Sequence, residues 1–153
     1  MVCKGYSQVE GIDFEETYAH VAQLEAIRMF LALSCHKNFK VYQMDAKSAF
    51  LNGKLEKEVY IEKSEGFLLS KNKDYVYKLK RSLYGLKQAP RAWFSRLDSY
   101  LKQQGFKRGF NESNIYLKFE DKNMISVVVY VDDIIFGSNL QNLSVDFSFK
   151  MKK

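Results

Sequence analysis

The stretch Val127-Val128-Val129-Tyr130-Val131-Asp132-Asp133-Ile134-Ile135-Phe136 decides the fold of this chain. Apolar, β-branched and aromatic residues flank two adjacent carboxylates, a pattern that predicts two strands folded back on each other at Asp132-Asp133. Anions held side by side repel, and close pairs persist where a cation or a proton offsets the repulsion. A divalent metal ion is one way to do so. A solvated turn is the other, because Asp is common in hairpin loops.

Working outward, Ile115 to Phe119 reads as a third strand, joined to Ile125–Val131 through the turn Glu120-Asp121-Lys122-Asn123, so three antiparallel strands are predicted. Further upstream, Phe39-Lys40-Val41-Tyr42-Gln43-Met44-Asp45 is a short β-branched and aromatic run that delivers Asp45 at its carboxyl end. If this strand neighbours the hairpin, Asp45, Asp132 and Asp133 converge on one sheet edge. Such hard oxygen donors suit magnesium. Two such ions ~3.5–4 Å apart can serve an in-line phosphoryl displacement, which is the chemistry of nucleotidyl transfer.

Helical periodicity appears around the strands. Leu24, Ile27, Leu31 and Ser34, widened by Phe30, predict an amphipathic helix over about 21–36. Pro90 suits a first helical turn, Trp93, Leu97, Tyr100 and Leu101 share a face, and Gly105 stands where a left-handed cap would end that helix. Val59-Tyr60-Ile61-Glu62 and Tyr75-Val76-Tyr77-Lys78-Leu79 predict a second small sheet. Their connection contains Ser64-Glu65-Gly66 and Lys71-Asn72-Lys73-Asp74. The tail from Leu140 places Leu143, Phe147 and Met151 at helical spacing.

The 153 residues, 46% hydrophobic and 27% charged, suffice for one full-sized core, and neither a repeat nor a linker composition divides them. No apolar run approaches the ~18 residues of a membrane span. The start lacks the pattern of a secretory signal. The two cysteines, Cys3 and Cys35, read as reduced thiols of an intracellular protein rather than a disulfide or zinc scaffold. Lys and Arg exceed Asp and Glu by 24 to 18, a net charge of +6 that favours a polyanionic partner. Lys78, Lys80, Arg81, Lys87 and Arg91 are interleaved with Tyr75, Tyr77, Tyr84 and Trp93, a mixture that could meet phosphates and stack bases. A solvated face over core aromatics would show the same composition.

Three segments in order carry a resemblance: 41–53 (Val-Tyr-Gln-Met-Asp-Ala-Lys-Ser-Ala-Phe-Leu-Asn-Gly), 83–93 (Leu-Tyr-Gly-Leu-Lys-Gln-Ala-Pro-Arg-Ala-Trp) and Tyr130-Val131-Asp132-Asp133. With Lys4-Gly5-Tyr6-Ser7-Gln8 near the start, they resemble the reverse transcriptase domain of copia-type (Ty1/copia, Pseudoviridae) LTR retrotransposon Pol polyproteins. The resemblance implies an α+β fold, part of a right-hand polymerase. Its antiparallel palm sheet would have helices packed on one side, with palm at about 21–52 and 89–153 and fingers remnants at about 1–20 and 53–88. It implies RNA-directed DNA polymerase activity by two-metal nucleotidyl transfer, with Mg2+ as cofactor and Mn2+ as a substitute.

By the same resemblance Asp45, Asp132 and Asp133 are catalytic, with Asp45, Asp132 and the Ala46 carbonyl holding metal and Asp133 in support. Phe50, Tyr84 and Gly85 fall at nucleotide-binding positions. An aromatic ring at the Phe50 position excludes a 2′-hydroxyl by volume. Gly85 would let the backbone approach the nucleotide or template closely. Lys87, Arg91 and Tyr130 fall at template- or primer-binding positions. The implied partners are an RNA or DNA template-primer, deoxynucleoside triphosphates and the remaining Pol domains, with no membrane and with the cytoplasmic particle as the family's compartment.

The chain also departs from the family pattern. His20 stands where proline is usual, and Gln23 where a basic residue is common. The family's triphosphate-holding arm, primer-positioning strands, thumb, RNase H, protease and integrase are expected to be missing, so the fragment is expected to be truncated at both ends. Such a truncation would expose apolar surface at Phe147 and Phe149. Two readings follow: a polymerase core by ancestry and fold, and, for present activity, a catalytically inactive retroelement remnant with at most weak nucleic-acid binding, the isolated fragment being expected to be inactive.

Overall fold

A computed structural model describes residues 2–19, 22–62 and 75–152. His20 and the connection containing 64–66 and 71–74 lie outside the described residues. The elements in chain order are α1 (Leu24–His36), β1 (Lys40–Asp45), β2 (Tyr60–Ile61), β3 (Tyr77–Lys78), α2 (Ala89–Gln103) and β4 (Lys107–Arg108), then β5 (Ile115–Glu120), β6 (Asn123–Tyr130), β7 (Asp133–Ser138) and α3 (Gln141–Met151). Single 3-10 turns stand at Gly5–Ser7 and Ala49–Asn52.

The chain forms two compact units where composition suggested one: Met1–Ala19 with Ser48–Arg96, and His20–Lys47 with Leu97–Lys153. No linker composition marks the division because the chain passes between the units three times, the last time inside α2.

The second unit is built on a five-stranded antiparallel sheet in the order β1-β7-β6-β5-β4. Both predicted hairpins are present, each closed by a two-residue turn, Asp121-Lys122 and Val131-Asp132. Ile125 to Val129 of β6 are all buried, and a continuous buried run needs cover on both faces. Ile115, Val128 and Ile135 pack with Ala22, Ala26 and Phe30 on one face. On the other, Phe136 meets Phe147 of α3 at 4.8 Å between ring centroids, and Phe147 meets Phe106 at 5.5 Å.

Two expectations are thereby corrected. Helices cover both faces of the sheet rather than one, and Phe147 is buried while Phe149 is exposed. In α1 the buried stripe is Ala26, Phe30 and Ser34, whereas Leu24 and Leu31 of the expected stripe are exposed. Small Ala26 permits close packing, and the Ser34 hydroxyl is satisfied by donating to the Phe30 carbonyl at 2.7 Å.

Helix α2 follows its sequence signals. Pro90 lies in the first turn, Trp93, Leu97 and Leu101 are buried, and Gly105 ends the helix at φ +86°. The Phe106 N–H then bonds the Leu101 carbonyl at 3.1 Å, closing the helix end. The fully buried Tyr116 ties α2 to β5 by donating its hydroxyl to Asp98 Oδ1 at 2.8 Å. Asp98 also pairs with Lys102 at 2.7 Å and lies 3.8 Å from Arg108. Burial, followed by the hydrogen bond to anionic Asp98, holds the Tyr116 hydroxyl well above its ordinary pKa of 10.

In the first unit, β2 and β3 form a two-stranded antiparallel sheet, extended by the Leu79 N–H donating to the Val59 carbonyl at 2.8 Å. Val59, Leu86 and Ala89 form its buried cluster, with Cys3, Phe50, Leu55, Leu79 and Leu83 packed around them. Among the described residues, no helix is long and apolar enough to cross a membrane.

Candidate functional site

The register of the sheet places the second unit's carboxylates. Strand β1 pairs antiparallel with β7 so that Asp45 stands directly opposite Asp133, with Gln43 opposite Ile135. Direct cross-strand partners project to the same face, so Asp45, Gln43 and Asp133 share one face of the sheet. Tyr130, the last residue of β6, is the partner of Asp133 on the other side and is exposed.

Asp132 occupies the turn itself, and its carbonyl accepts the Ala46 N–H at 2.8 Å. That bond fastens the chain just beyond β1 to the hairpin tip. Val131 precedes it at φ +58°, a left-handed conformation that is unusual for a β-branched residue. A two-residue hairpin turn calls for such a dihedral, which Gly or Asn normally supplies. Backbone strain of this kind clusters at functional sites, where the surrounding structure holds it in place.

The donor set of Asp45, Asp132, Asp133 and the Ala46 carbonyl is all hard oxygen, which fits magnesium or manganese in chemistry. The carboxylates belong to adjacent strand ends. Among the described residues, however, no three His, Cys, Asp or Glu side chains are drawn together closely enough to hold an ion. Asp133 has a partner that the sequence reading did not single out: Gln43 Nε2 donates to its Oδ1 at 2.9 Å. The signal was present in the two-residue spacing to Asp45, which sets both side chains on one face.

The first unit holds the other expected positions. Phe50 lies in the 3-10 turn after left-handed Ser48, half-buried, with its ring 5.0 Å from that of Tyr84. Its carbonyl accepts the Ser82 hydroxyl. Phe50 and Tyr84 are thus brought together, with Gly85 beside them at φ +93°. The close backbone approach expected at Gly85 is made by the chain's own N-terminal segment. A Cβ on Gly85 would lie 2.0 Å from the Cys3 carbonyl oxygen, and one on Gly5 would lie 1.9 Å from the Gly85 oxygen. The Cys3 N–H donates to the Tyr84 carbonyl at 2.7 Å alongside.

Several cations of the basic segment are engaged within this unit. Lys78 pairs with Glu58. Arg91 pairs with Glu16 at 2.7 Å. Lys87 Nζ donates to the Gln8 carbonyl at 3.0 Å and stands 5.2 Å from the centre of the Phe14 ring. Lys80 and Arg81 are exposed. A cleft of about 130 Å³, whose lining includes Asp13, Glu16, Lys57 and Arg91, contains none of the expected catalytic carboxylates.

With a carboxylate-bearing hairpin on an antiparallel sheet established, comparison with known proteins gives the class. The family described as Reverse transcriptase (RNA-dependent DNA polymerase) matches residues 1–153. The chain belongs to this family, in the form carried by Pol polyproteins of copia-type retrotransposons. It is 43% identical over 136 residues to the Retrovirus-related Pol polyprotein from transposon TNT 1-94 of Nicotiana tabacum, covering 88% of this chain and 10% of that protein. It is 37% identical over 158 residues to the corresponding polyprotein from transposon RE1 of Arabidopsis thaliana, covering 98% and 11%. A third relative, the Putative transposon Ty5-1 protein YCL074W of Saccharomyces cerevisiae, is 38% identical over 95 residues, covering 62% and 31%. The chain therefore spans about a tenth of the length of the two plant polyproteins. No solved structure matches it.

Proposed function

We propose that this chain is the core of an RNA-directed DNA polymerase from a copia-type retrotransposon, joining deoxynucleotides to a primer by two-metal nucleotidyl transfer. The observation that carries the reading is the register Asp45 opposite Asp133, with Asp132 in the adjoining turn bonded through its carbonyl to Ala46. In this reading about 21–52 and 89–153 belong to the palm of a right-hand polymerase, and about 1–20 and 53–88 to fingers remnants.

Asp45, Asp132 and the Ala46 carbonyl would hold magnesium or manganese, with Asp133 in support. When bound, the metal supplies charge compensation for the attacking hydroxyl and the leaving diphosphate. The protein's part is orientation. Asp45 and Asp133 stand on paired strand ends, and the third carboxylate, Asp132, belongs to the adjoining turn, so the three would have to close on the ion when it binds. Phe50 with Tyr84 would bound the sugar site and exclude a 2′-hydroxyl, while Lys87, Arg91 and Tyr130 would meet an RNA or DNA template-primer. Deoxynucleoside triphosphates would be the substrates, and the other Pol domains the physiological neighbours.

A second reading, a catalytically inactive remnant that binds nucleic acid weakly, is favoured by the engagement of Arg91 with Glu16 and of Lys87 with Gln8. Extension of a labelled DNA primer on an RNA template, with wild type beside Asp132→Asn, separates the two. Extension by wild type alone is the expected result. No extension by folded wild-type protein, with salt-sensitive binding retained in both, would establish the second reading.

A further inference from the structure

We propose that Gln43 is a positioning residue for Asp133, holding one carboxylate oxygen so that the other is aimed at the space beside Asp45. This inference rests on the metal-binding reading above. The geometry is specific. Asp45 faces Asp133 directly, and Gln43, two residues earlier on the same strand face, reaches diagonally to Asp133 Oδ1 at 2.9 Å. Diagonal cross-strand neighbours lie ~7–8 Å apart at Cα, a gap that a long side chain such as Gln can bridge.

The chemistry of the partner matters as much as its reach. Two carboxylates placed opposite each other repel, and an unrestrained Asp133 would turn away from Asp45. A Lys or Arg at position 43 would hold Asp133 by neutralising it, and would then compete with any metal ion for that carboxylate. The Gln amide is uncharged. It can orient the carboxylate while leaving the negative charge that attracts a cation. With Oδ1 taken by Gln43, Asp133 offers Oδ2, which makes it a one-oxygen supporting partner rather than a chelating one.

Binding of Mn2+ to the 153-residue chain, followed by electron paramagnetic resonance of the free ion, tests this without any turnover. Gln43→Met keeps the side chain's length and removes the donor. Loss of a residue that orients a metal-binding side chain typically weakens binding ~10–100-fold, and about tenfold weaker Mn2+ binding is expected here with unchanged thermal unfolding. In an Asp133→Asn background, Gln43→Met is expected to have no further effect, because Gln43 acts through Asp133.

Three results would overturn the proposal. Wild type that binds Mn2+ while Gln43→Met binds equally well removes the positioning role alone. An undiminished effect of Gln43→Met in the Asp133→Asn background assigns the loss to general structure. Wild type that binds no Mn2+ removes the metal-binding reading itself, and the inference with it. Should Gln43→Met fail to fold, Gln43→Thr, suited to a strand and too short to reach Asp133, carries the same comparison.

Discussion

Asp45 and Asp133 stand opposite each other across β1 and β7, two like charges at directly paired positions. Such a pairing costs stability in the absence of a cation. Asp45→Asn should therefore stabilise the metal-free chain by about 0.2–1 kcal/mol in urea unfolding with chelator present. The same variant should lose Mn2+ binding. A destabilised Asp45→Asn would show that Asp45 serves the fold rather than a site.

Tyr116 offers a pH-dependent test. Its folded-state pKa is raised by burial and by Asp98, so the hydroxyl stays protonated in the native state while it ionises in the unfolded chain. This contribution is fully present below about pH 10, the ordinary tyrosine value, and is lost as pH rises above it. Tyr116→Phe should cost about 1–3 kcal/mol at pH 7. It should also flatten the fall in stability above pH 10, as measured by thermal unfolding against pH.

Gly5 and Gly85 pack backbone to backbone, and Gly85 is left-handed as well. Gly85→Ala should cost about 2–4 kcal/mol, from strain and from collision with Cys3. With Gly5→Ala added, the two losses should sum to less than their separate values, because either one already displaces the N-terminal segment. Full additivity in a double-mutant cycle would contradict this contact.

Asn114 is 2% exposed, and neither polar atom of its side chain has a hydrogen-bond partner among the described residues. Asn114→Cys, close in volume and less polar, should raise stability by about 1 kcal/mol through relief of the desolvation cost. Denaturant midpoints of the two proteins decide the point.

Glu16 holds Arg91 in a half-exposed ion pair. Glu16→Gln should tighten binding of a single-stranded oligonucleotide about two- to fivefold at low salt, the scale of a ~0.5–1 kcal/mol pair. Arg91→Ala should weaken binding and lower the slope of log affinity against log salt by about 1. Unchanged slopes would exclude Arg91 from phosphate contact.

What the sequence made legible was mostly local. The turn before β6, Pro90 at the start of α2 and Gly105 at its end each act through their own backbone geometry and were readable in place. The turn after β6 instead falls at Val131-Asp132, one residue before the expected Asp132-Asp133, because left-handed Val131 carries no turn signal. The β1–β7 pairing was readable only as a condition, since nothing in either strand names its neighbour. The stripe on α1 was legible at Ile27, Phe30 and Ser34 but not at Leu24 and Leu31, which are more apolar than Ala26 and yet exposed. Packing selected the smaller residue for the close approach instead. Engagement of Lys87 and Arg91 by Gln8 and Glu16 was not legible, because it depends on how a loop some 80 residues upstream is folded.

The position of β1 in the sheet also bears on synthesis. Gln43 and Asp133 are 90 positions apart, and β1 is an outer strand whose neighbour in the sheet is β7, the last of the described strands in chain order. A growing chain will have completed α1 and β1 long before β7 leaves the ribosome. Until then Asp45 is a solitary carboxylate at the end of an unpaired strand. Closing so long a loop is slow compared with forming the β5–β6–β7 meander. The site is thus assembled late, when β1 docks against a meander already in place, and a nascent chain interrupted before Asp133 would carry Asp45 without its counterpart.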